Sequence, residues 1–440
     1  MRRRLLLLAL LTLLASLVAA GCGGDDDGEA DGETPAAEGE GVSGEIAVMA
    51  VWTGPEQEAF QAVLDSFTEL NLDVTVNYTS AGDQLPTQLA TAVEGGNPPD
   101  LAVLPQPGLM ADFAGQDALV PLDFAASDIE ENLGESAVQL GTVDDTLYGF
   151  LFKAANKSTV WYNVATFEDA GVEPPETWDD FLAAAETLSA SGVPAYSIGG
   201  ADGWTLTDLF ENIYLRTAGP DMYDQLAAHE IPWTDESVKE ALTLMGEILG
   251  DTANIAGGTQ GALQTDFPTS VTQVFADPPE AAMVIEGDFV GGVIADSTEA
   301  EPETGFNVFP FPSIEDSAPS VVGGGDTVVM FEDSPAAQAL VRYLTTTEAA
   351  QIWAERGGFA SLNRGLEPSV YPDPISQTTA GALAEAETFR FDLSDLQPAE
   401  FGGTVGQGLF KLFQDFLRNP DDVDGIAQQM EDAAAQAFGE

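Results

Sequence analysis

The order of apolar and polar positions from about residue 45 onward predicts alternating strands and helices. Residues 45–52 form a nearly continuous apolar run, which is typical of a strand buried on both faces of a parallel sheet. Apolar residues recur at helical spacing over 60–67 and alternate with polar ones over 72–78. A second helix is predicted over 85–94, before a short apolar strand over 101–104. Strands and helices that alternate at these intervals predict an α/β layer with a parallel sheet.

The stretch over 145–163 interrupts this alternation. Two apolar segments there are separated by small and polar residues over 153–158, as expected where a chain leaves one sheet and enters another. We therefore predict that this stretch is a crossover between two lobes. Beyond it the alternation resumes. Helices are predicted over 178–188, with Thr177 as the N-cap, and over 206–218, 237–249 and 335–356, with Trp353 in the last of them expected in the core. Strands are predicted over 194–198, 281–285, 308–311 and 321–331, a glycine-rich loop over 257–261, and helix and loop over the remainder.

The net charge of the chain limits the classes of molecule that it is expected to bind. Its 440 residues include 74 acidic and 13 basic side chains, for a formal net charge of −61. Such an acidic surface repels nucleic-acid phosphates and anionic lipid headgroups, so we expect neither as a partner. A salt-adapted, self-repelling surface accounts for this composition. Cation binding is the alternative, although the carboxylates do not follow the spacing of a metal-binding loop.

The N-terminal segment is typical of an export signal followed by a tether. Residues 1–21 have a basic start, an apolar middle and small residues before Cys22, a pattern that resembles a bacterial lipoprotein signal. We expect lipidation of Cys22 to anchor the protein at the outer face of the cell membrane. Ala19 stands where such signals usually have leucine, so a plain signal peptide with an incidental cysteine is the alternative. Residues 22–43 are acidic with few apolar side chains, which predicts a flexible tether.

The sequence offers little for catalysis. His229 is the single histidine and lies in a charged segment, and Cys22 is the single cysteine. We therefore expect no Ser/His/Asp triad, no His-rich or Cys-rich metal site and no intramolecular disulfide. The glycine runs lack the lysine-bearing spacing of a phosphate loop. We therefore expect no enzymatic activity, no cofactor and no bound metal. A pair of carboxylates that hydrolyses a glycoside remains the alternative, because 74 acidic residues leave many possible pairs.

Four tryptophans indicate a binding site. Trp52, Trp161, Trp204 and Trp233 each lie near the end of a predicted element, beside glycine, proline or polar residues. Such a position offers a flat apolar face next to hydrogen-bonding groups, which suits a sugar. We favour a binding role for Trp204, which lies in a loop with few apolar neighbours. For Trp52 a core position and a site position are both open.

Several segments resemble a known family. The crossover LYGFLFKAANKSTVWYN, with the export signal before it and an α/β pattern on both sides, resembles extracellular solute-binding proteins of bacterial carbohydrate ABC importers, family 1. Residues 199–233, 356–372 and 387–402 are similar to the α-glucoside-transport branch of that family. The resemblance covers the chain from about residue 46 onward. It implies a two-lobed, periplasmic-binding-protein-like α/β fold with discontinuous lobes, crossover hinge strands and a ligand in the cleft.

The resemblance also implies domain bounds and a function. The N-terminal lobe would comprise residues 44–154 and about 326–365, and the C-terminal lobe residues 155–325 and about 366–440. The chain would capture an α-glucoside or a short α-linked oligosaccharide and deliver it to the transmembrane subunits of an ABC permease. We expect a monomer that touches the membrane only through its lipid anchor. A non-sugar solute such as a polyamine and, less favoured, a surface glycosidase are the alternatives.

The resemblance and the predicted loops together imply a set of ligand-binding residues. In α/β layers ligands bind beyond the carboxyl ends of strands, here residues 52–54 and 105–108. The expected residues are Trp52, Gly54, Glu56, Asp83, Gln84, Gln106, Asn156, Trp161, Trp204, Asp208, Glu286, Asp288, Gly324, Asp326 and Asn363. Trp204 should stack on a sugar ring, and the carboxylates and amides should bind hydroxyls. Glu286 and Asp288 depart from the usual family sequence, so they are either hydroxyl acceptors or part of the general acidity.

Overall fold

The computed structural model describes residues 42–386 and 388–439. The predicted signal peptide, Cys22 and nearly all of the predicted tether therefore lie outside the described residues. The strands are β1 Gly44–Ala50, β2 Val74–Ser80, β3 Leu101–Leu104, β4 Thr142–Val143, β5 Thr146–Leu147, β6 Gly149–Asn156, β7 Thr159–Asn163, β8 Tyr196–Ser197, β9 Met283–Ile285, β10 Phe306–Pro310, β11 Val321–Met330 and β12 Phe389–Phe391.

The helices connect these strands and cover the two main sheets. They are α1 Gly54–Leu70, α2 Leu85–Glu94, α3 Pro107–Gly115, α4 Ala126–Leu133, α5 Glu135–Leu140, α6 Val164–Ala170, α7 Trp178–Ser191, α8 Trp204–Thr217, α9 Pro220–Ala227, α10 Glu236–Leu249, α11 Gly258–Ala262, α12 Phe267–Phe275, α13 Val290–Ser297, α14 Pro335–Leu344, α15 Thr347–Ala354, α16 Pro374–Glu385, α17 Ala399–Gly402, α18 Gly408–Arg418 and α19 Val423–Ala437. Within residues 42–386 and 388–439, none of them combines the length and apolar character that crossing a bilayer requires.

The first sheet has six strands and contains the predicted parallel layer. β1 is paired in parallel with β2 on one side and with β3 on the other, as the alternating pattern of the first hundred residues predicts. β11 is antiparallel to both β3 and β6 and lies between them, and its first residues pair in parallel with β12. The carboxyl ends of β1 and β3 consequently lie at the same edge of this sheet.

The second sheet has four strands in the order β10-β7-β9-β8. The chain passes from β6 of the first sheet to β7 of the second across Lys157 and Ser158 only, so the stretch predicted as a crossover connects the two sheets. Side chains fix this link: Asn212 Nδ2 donates to the Lys157 carbonyl at 2.9 Å, and Ser158 Oγ accepts from Val322 N–H at 2.8 Å. The link is therefore bonded to both α8 and β11.

Each sheet has its own aromatic core. Under the first sheet the ring of Trp52 lies 4.6 Å from the rings of Phe60 and Trp353, measured between centroids. Beside the second sheet, Phe210 packs on Tyr214 at 5.5 Å and on Trp233 at 5.8 Å. The core position expected for Trp353 is confirmed, because only 1% of this residue is exposed.

Three local predictions differ from the structure. The helix predicted over 335–356 is two helices, because the side chain of Thr346 accepts a hydrogen bond from Ala349 N–H and thereby caps α15. The loop predicted over 257–261 contains the short helix α11. The last part of the chain, predicted as helix and loop only, also contributes β12. That three-residue strand has no period of its own and forms through pairing with the distant β11.

Candidate functional site

A cavity of about 360 Å³ lies at the carboxyl ends of β1 and β3. One side is formed by residues that follow these strands, among them Trp52 and Gln106. The opposite side is formed by the starts of α8 and α12, including Trp204 and Phe267. The cavity therefore lies where the rule for open α/β sheets places a ligand, and it is lined from the sides of both sheets.

Lys153, near the end of β6, forms the first charged cluster of the cavity. Its ammonium makes an ion pair with Glu56 and lies 3.8 Å from Asp326 Oδ2, while Trp52 Nε1–H donates to Asp326 Oδ2 at 2.8 Å. Burial acts to lower the pKa of Lys153, but the two carboxylates outweigh it and the net shift is upward. Burial raises the pKa of Asp326 to about 6, with Lys153 opposing that rise.

Lys157, in the link between the two sheets, forms the second cluster. Its Nζ donates to Asp392 Oδ2 at 2.5 Å and to Asp208 Oδ1 at 3.1 Å, and lies 3.8 Å from Asp395 Oδ2. Burial raises the pKa of Asp208 to about 8 despite the neighbouring ammonium. For Asp392 burial acts in the same direction, but Lys157 outweighs it and the net shift of the pKa is downward. Lys157 therefore pairs mainly with an ionised Asp392.

Glu211, on α8, positions the segment that carries Asp392 and Asp395. Its carboxylate accepts from the backbone N–H groups of Leu393 at 2.7 Å and Ser394 at 2.9 Å. Asp392 Oδ1 in turn accepts from Asp395 N–H at 2.9 Å. A segment from the end of the chain is thus held against the cavity by buried hydrogen bonds to α8.

Aromatic side chains form an apolar wall. The ring of Trp204 lies 5.2 Å from that of Phe267 and 5.9 Å from that of Phe289, and all three residues line the cavity. The ammonium of Lys157 lies 5.8 Å from the Trp204 ring. Trp204 is only half-buried, so a face of the indole is available beside charged groups.

Three carboxylates that line the cavity have no cation beside them among the described residues. Asp202 accepts from Phe267 N–H at 2.6 Å, and Asp266 caps α12 by accepting from Thr269 N–H at 2.9 Å. Burial raises the pKa of Asp202 to about 6, and the neighbouring charges of Asp83 and Asp266 add to that rise. Burial and Asp266 likewise raise the pKa of Asp83. These three residues, Asp83, Asp202 and Asp266, are called the acidic rim below.

The structure brings part of the predicted set of site residues together. The predicted residues that line the cavity are Trp52, Glu56, Asp83, Gln106, Trp204 and Asp326. Asp208 lies behind this lining and contacts it through Lys157. Trp52 is 2% exposed in the first core and also lines the cavity, so its core position is confirmed and its binding role stays a prediction.

Other predicted residues lie outside the cavity lining and have local structural contacts. Asn156 accepts from Ser158 N–H at 3.0 Å, and Asn363 accepts from Thr347 Oγ1 at 2.8 Å. Gly324 leaves space for a lysine, since a Cβ there would be 2.7 Å from Lys157 Cε. Gly54 begins α1 and Gln84 ends a short 3₁₀ turn, and neither residue lines the cavity.

Glu286 and Asp288 are buried beside the crossover. Glu286 lines a separate cavity of about 20 Å³, next to Tyr196, and burial raises its pKa well above the usual range. Asp288 N–H donates to the Asn156 carbonyl at 3.0 Å, and burial raises the pKa of its carboxyl to about 7. Their placement favours a structural part in the crossover over direct contact with a ligand in the larger cavity.

Two tryptophans that the loop pattern placed near a ligand are fully buried. Trp161 is 1% exposed, and its Nε1–H donates to Thr159 Oγ1 at 3.0 Å. Trp233 is 0% exposed and packs edge-on against Phe401 at 5.4 Å. The prediction of an open aromatic face is therefore wrong for both, because distant segments cover positions that look exposed from their sequence neighbours alone.

The sequence reasoning missed the two lysines and the segment 392–395. The signal for the lysines was present, since only four lysines occur in the chain and Lys153 and Lys157 lie four residues apart in an apolar stretch. A charge that is surrounded by apolar residues must find buried partners. For Asp392 and Asp395 the sequence carries no such signal, because their partners lie more than 180 residues away.

No group of three or more His, Cys, Asp or Glu side chains in the described ranges is placed to hold a metal ion. His229, the only histidine, lies away from the cavity, where its ring stacks on Phe438 at 4.8 Å. The charged groups of the cavity can form hydrogen bonds with a polar solute.

Comparison with known proteins finds solute-binding proteins both by sequence and by structure. Residues 53–351 match the family described as bacterial extracellular solute-binding protein. The chain is 36% identical to the osmoprotective compounds-binding protein GgtB of Synechocystis sp., over 85% of this chain and 89% of that protein. It is 32% identical to the alpha-glucosides-binding periplasmic protein AglE of Rhizobium meliloti, over 83% and 81%. A solved structure of a chitin oligosaccharide binding protein shares the two-lobed fold, with a TM-score of 0.78 at 19% identity over 90% of this chain and 100% of that one.

Proposed function

The chain belongs to the family of bacterial extracellular solute-binding proteins, and from this membership we propose that its cavity captures a carbohydrate for an ABC import permease. The proposed solute is an α-glucoside or a short α-linked oligosaccharide. The names of the two relatives above support this class, since one binds alpha-glucosides and the other osmoprotective compounds. The protein acts outside the cytoplasm, and lipidated Cys22 holds it at the membrane.

One observation carries the proposal: an aromatic face stands beside a ring of charged hydrogen-bonding groups in a single cavity. The half-buried Trp204 offers the apolar face, and Glu56, Asp326 and Asp392 offer carboxylate oxygens. A sugar ring has one apolar face and a rim of hydroxyl donors, so it matches both features. The volume of about 360 Å³ lies near the lower end of the roughly 300–1,000 Å³ of small-molecule sites, which favours one or two sugar rings over a long chain.

The fold supplies the means of capture. We assign residues 44–154 and about 326–365 to one lobe and residues 155–325 and about 366–440 to the other. The link at Lys157–Ser158, between strands β6 and β7, is the proposed hinge. A solute that contacts the lining from both lobes favours the closed arrangement by the difference in its affinity for the two states. Hinge closure of this kind presents a distinct surface to the permease.

Binding to a panel of sugars tests the proposal. We expect maltose, trehalose or a related disaccharide to raise the melting temperature, and Trp204→Ala to weaken that sugar about tenfold or more by removing the stacked face. Leu72→Ala is the control, because Leu72 is an apolar residue, 88% exposed, outside the cavity lining. Equal affinities in the two variants would exclude Trp204 from the site. A panel in which no sugar shifts the melting temperature would reject the carbohydrate assignment.

The same material separates the receptor from a glycosidase. A receptor should release no nitrophenol from nitrophenyl α-glucoside beyond the buffer control, even at high protein concentration. Hydrolysis that disappears in a single Asp→Asn variant of the cavity would establish an enzyme instead. The lining carboxylates tested first are Asp326 and Asp392, each of which forms an ion pair with one of the two lysines.

A further inference from the structure

The charges of the cavity do not balance. Seven of its lining residues are Asp or Glu, and two are lysines. Both lysines are already engaged: Lys153 with Glu56 and Asp326, and Lys157 with Asp392, Asp395 and Asp208, the last of which lies behind the lining. The excess of carboxylates over ammonium groups gives the cavity a negative potential where water is partly excluded.

The acidic rim carries the part of this excess that no cation offsets. Asp202 is half-buried, and its nearest charged neighbours are Asp83 and Asp266. Asp83 comes from the side of the first sheet, whereas Asp202 and Asp266 lie at the starts of α8 and α12. Carboxylates that face one another across a cleft repel each other unless protons or a cation lie between them.

A second feature independently indicates a missing donor. Gln106 lines the cavity and is 4% exposed, yet its Oε1 has no hydrogen-bond partner within the part of the chain that the structure describes. A Cβ on Gly403 would overlap the Gln106 amide, so the chain leaves room for this side chain at close range. A buried acceptor without a donor costs free energy that a donor on a ligand recovers.

The aromatic wall completes the environment. Phe267, whose N–H binds Asp202, has its ring 5.2 Å from that of Trp204. Aromatic faces beside carboxylates are the surroundings that organic cations prefer, since both attract positive charge. The general acidity of the chain does not account for Asp202, because a half-buried carboxylate loses hydration that exposed ones such as Asp83 and Asp266 keep.

We propose that the cavity selects its solute by charge: a glycoside with a protonated amine binds more tightly than its neutral parent, and a phosphorylated or carboxylated parent is rejected. The acidic rim and the wall of Trp204 and Phe267 hold the ammonium group, and the remaining lining holds the sugar. This selection rests on the proposed function, because the amine is recognised as part of a carbohydrate.

Two matched series of probes test the selection by isothermal titration. The first is trehalose, 6-amino-6-deoxytrehalose and trehalose 6-phosphate, and the second is glucose, glucosamine and glucose 6-phosphate. In the wild type we expect the amine to bind about tenfold more tightly than the neutral sugar and the phosphate about tenfold more weakly. Asp202→Asn should remove most of the preference for the amine while retaining the neutral sugar. Asp169→Asn, which removes one exposed carboxylate elsewhere, should leave the preference unchanged.

The outcomes distinguish this selection from the carbohydrate assignment itself. Equal affinities for neutral and amino sugars, or a preference that persists in Asp202→Asn, would overturn charge selection while sugar binding stands. If no neutral or amino sugar binds, the proposed function fails, and charge selection fails with it. Binding of spermidine without any sugar would give the same double failure, and stabilisation by Ca²⁺ in place of an amine preference would identify a metal site. Asp83→Asn repeats the test at an exposed position if Asp202→Asn does not fold.

Discussion

Replacing Lys157 by methionine should strongly destabilise the protein at neutral pH. Methionine keeps the length and apolar stem of the side chain but removes the ammonium that binds Asp392 at 2.5 Å and Asp208 at 3.1 Å. Burial holds the pKa of Asp208 at about 8, so that carboxyl is largely protonated at pH 7, and burial also raises the pKa of Asp395. Asp392, whose net pKa shift is downward, is the carboxylate that loses its partner.

The magnitude follows from the least costly response of Asp392, which is to take up a proton. Its ordinary pKa is 3.8, and each pH unit above that value costs about 1.4 kcal/mol. The variant should therefore lose about 4 kcal/mol of unfolding free energy at pH 7, similar to the roughly 3–5 kcal/mol found when one partner of a buried ion pair is removed. At pH 5 the loss should shrink to about 1.5 kcal/mol, because the protonated form is then easier to reach.

Urea titrations at pH 7 and pH 5 measure both values, from the shift in midpoint multiplied by the common slope. Lys239→Met is the matched control, since Lys239 makes only surface pairs with Glu236 and Asp424. It should change stability far less, and equally at both pH values. Adding Asp392→Asn to Lys157→Met should recover most of the loss at pH 7. A loss below about 1 kcal/mol at pH 7, or one that does not depend on pH, would refute the assignment of Asp392 as the ionised partner.

Three further changes test the acidic rim and the backbone. The raised pKa of Asp202, about 6, means that the folded state binds the proton more tightly than the unfolded state, so this residue's contribution is lost as pH rises from about 4 to 6. Asp202→Asn should match the wild type in melting temperature at pH 4 and exceed it at pH 7, and the opposite order would contradict the shift. Gly108→Ala should lower stability by about 1–3 kcal/mol, because its Cβ would lie 2.0 Å from the Gln397 carbonyl oxygen. Gly381→Ala, a helical position with nothing within 4 Å, should instead gain roughly 0.5–1 kcal/mol in a chemical denaturation comparison.

The sequence predicted the parts of the fold that depend on local periodicity. The first α/β units, the cap of α7 at Thr177 and the location of the crossover all follow from residues close together in the chain. The edge of the sheet that bears the cavity was predictable for the same reason. Trp52 and Gln106, which were predicted at that edge, line the cavity. These features need no knowledge of which distant segments meet.

The rest of the cavity depends on contacts between distant segments. Asp392 reaches Lys157 only because β12 pairs with β11 and Glu211 holds the following backbone. Trp161 and Trp233 look open from their neighbours, but elements far along the chain bury them. Apolar spacing and loop composition carry no information on such pairings, so the site could be predicted on one side only.

The position of β11 has a consequence for the order in which the protein is made. β3 and β6 are complete once residue 156 has been synthesised, but they are not neighbours, since β11 separates them and about 165 residues lie between the end of β6 and the start of β11. The first sheet cannot close until that late strand arrives. Contacts of such long separation form slowly. For a polypeptide that is exported across a membrane, we expect this delay to leave the first sheet incomplete until β11 has been synthesised. The chain before β11 would then still be unfolded enough for translocation.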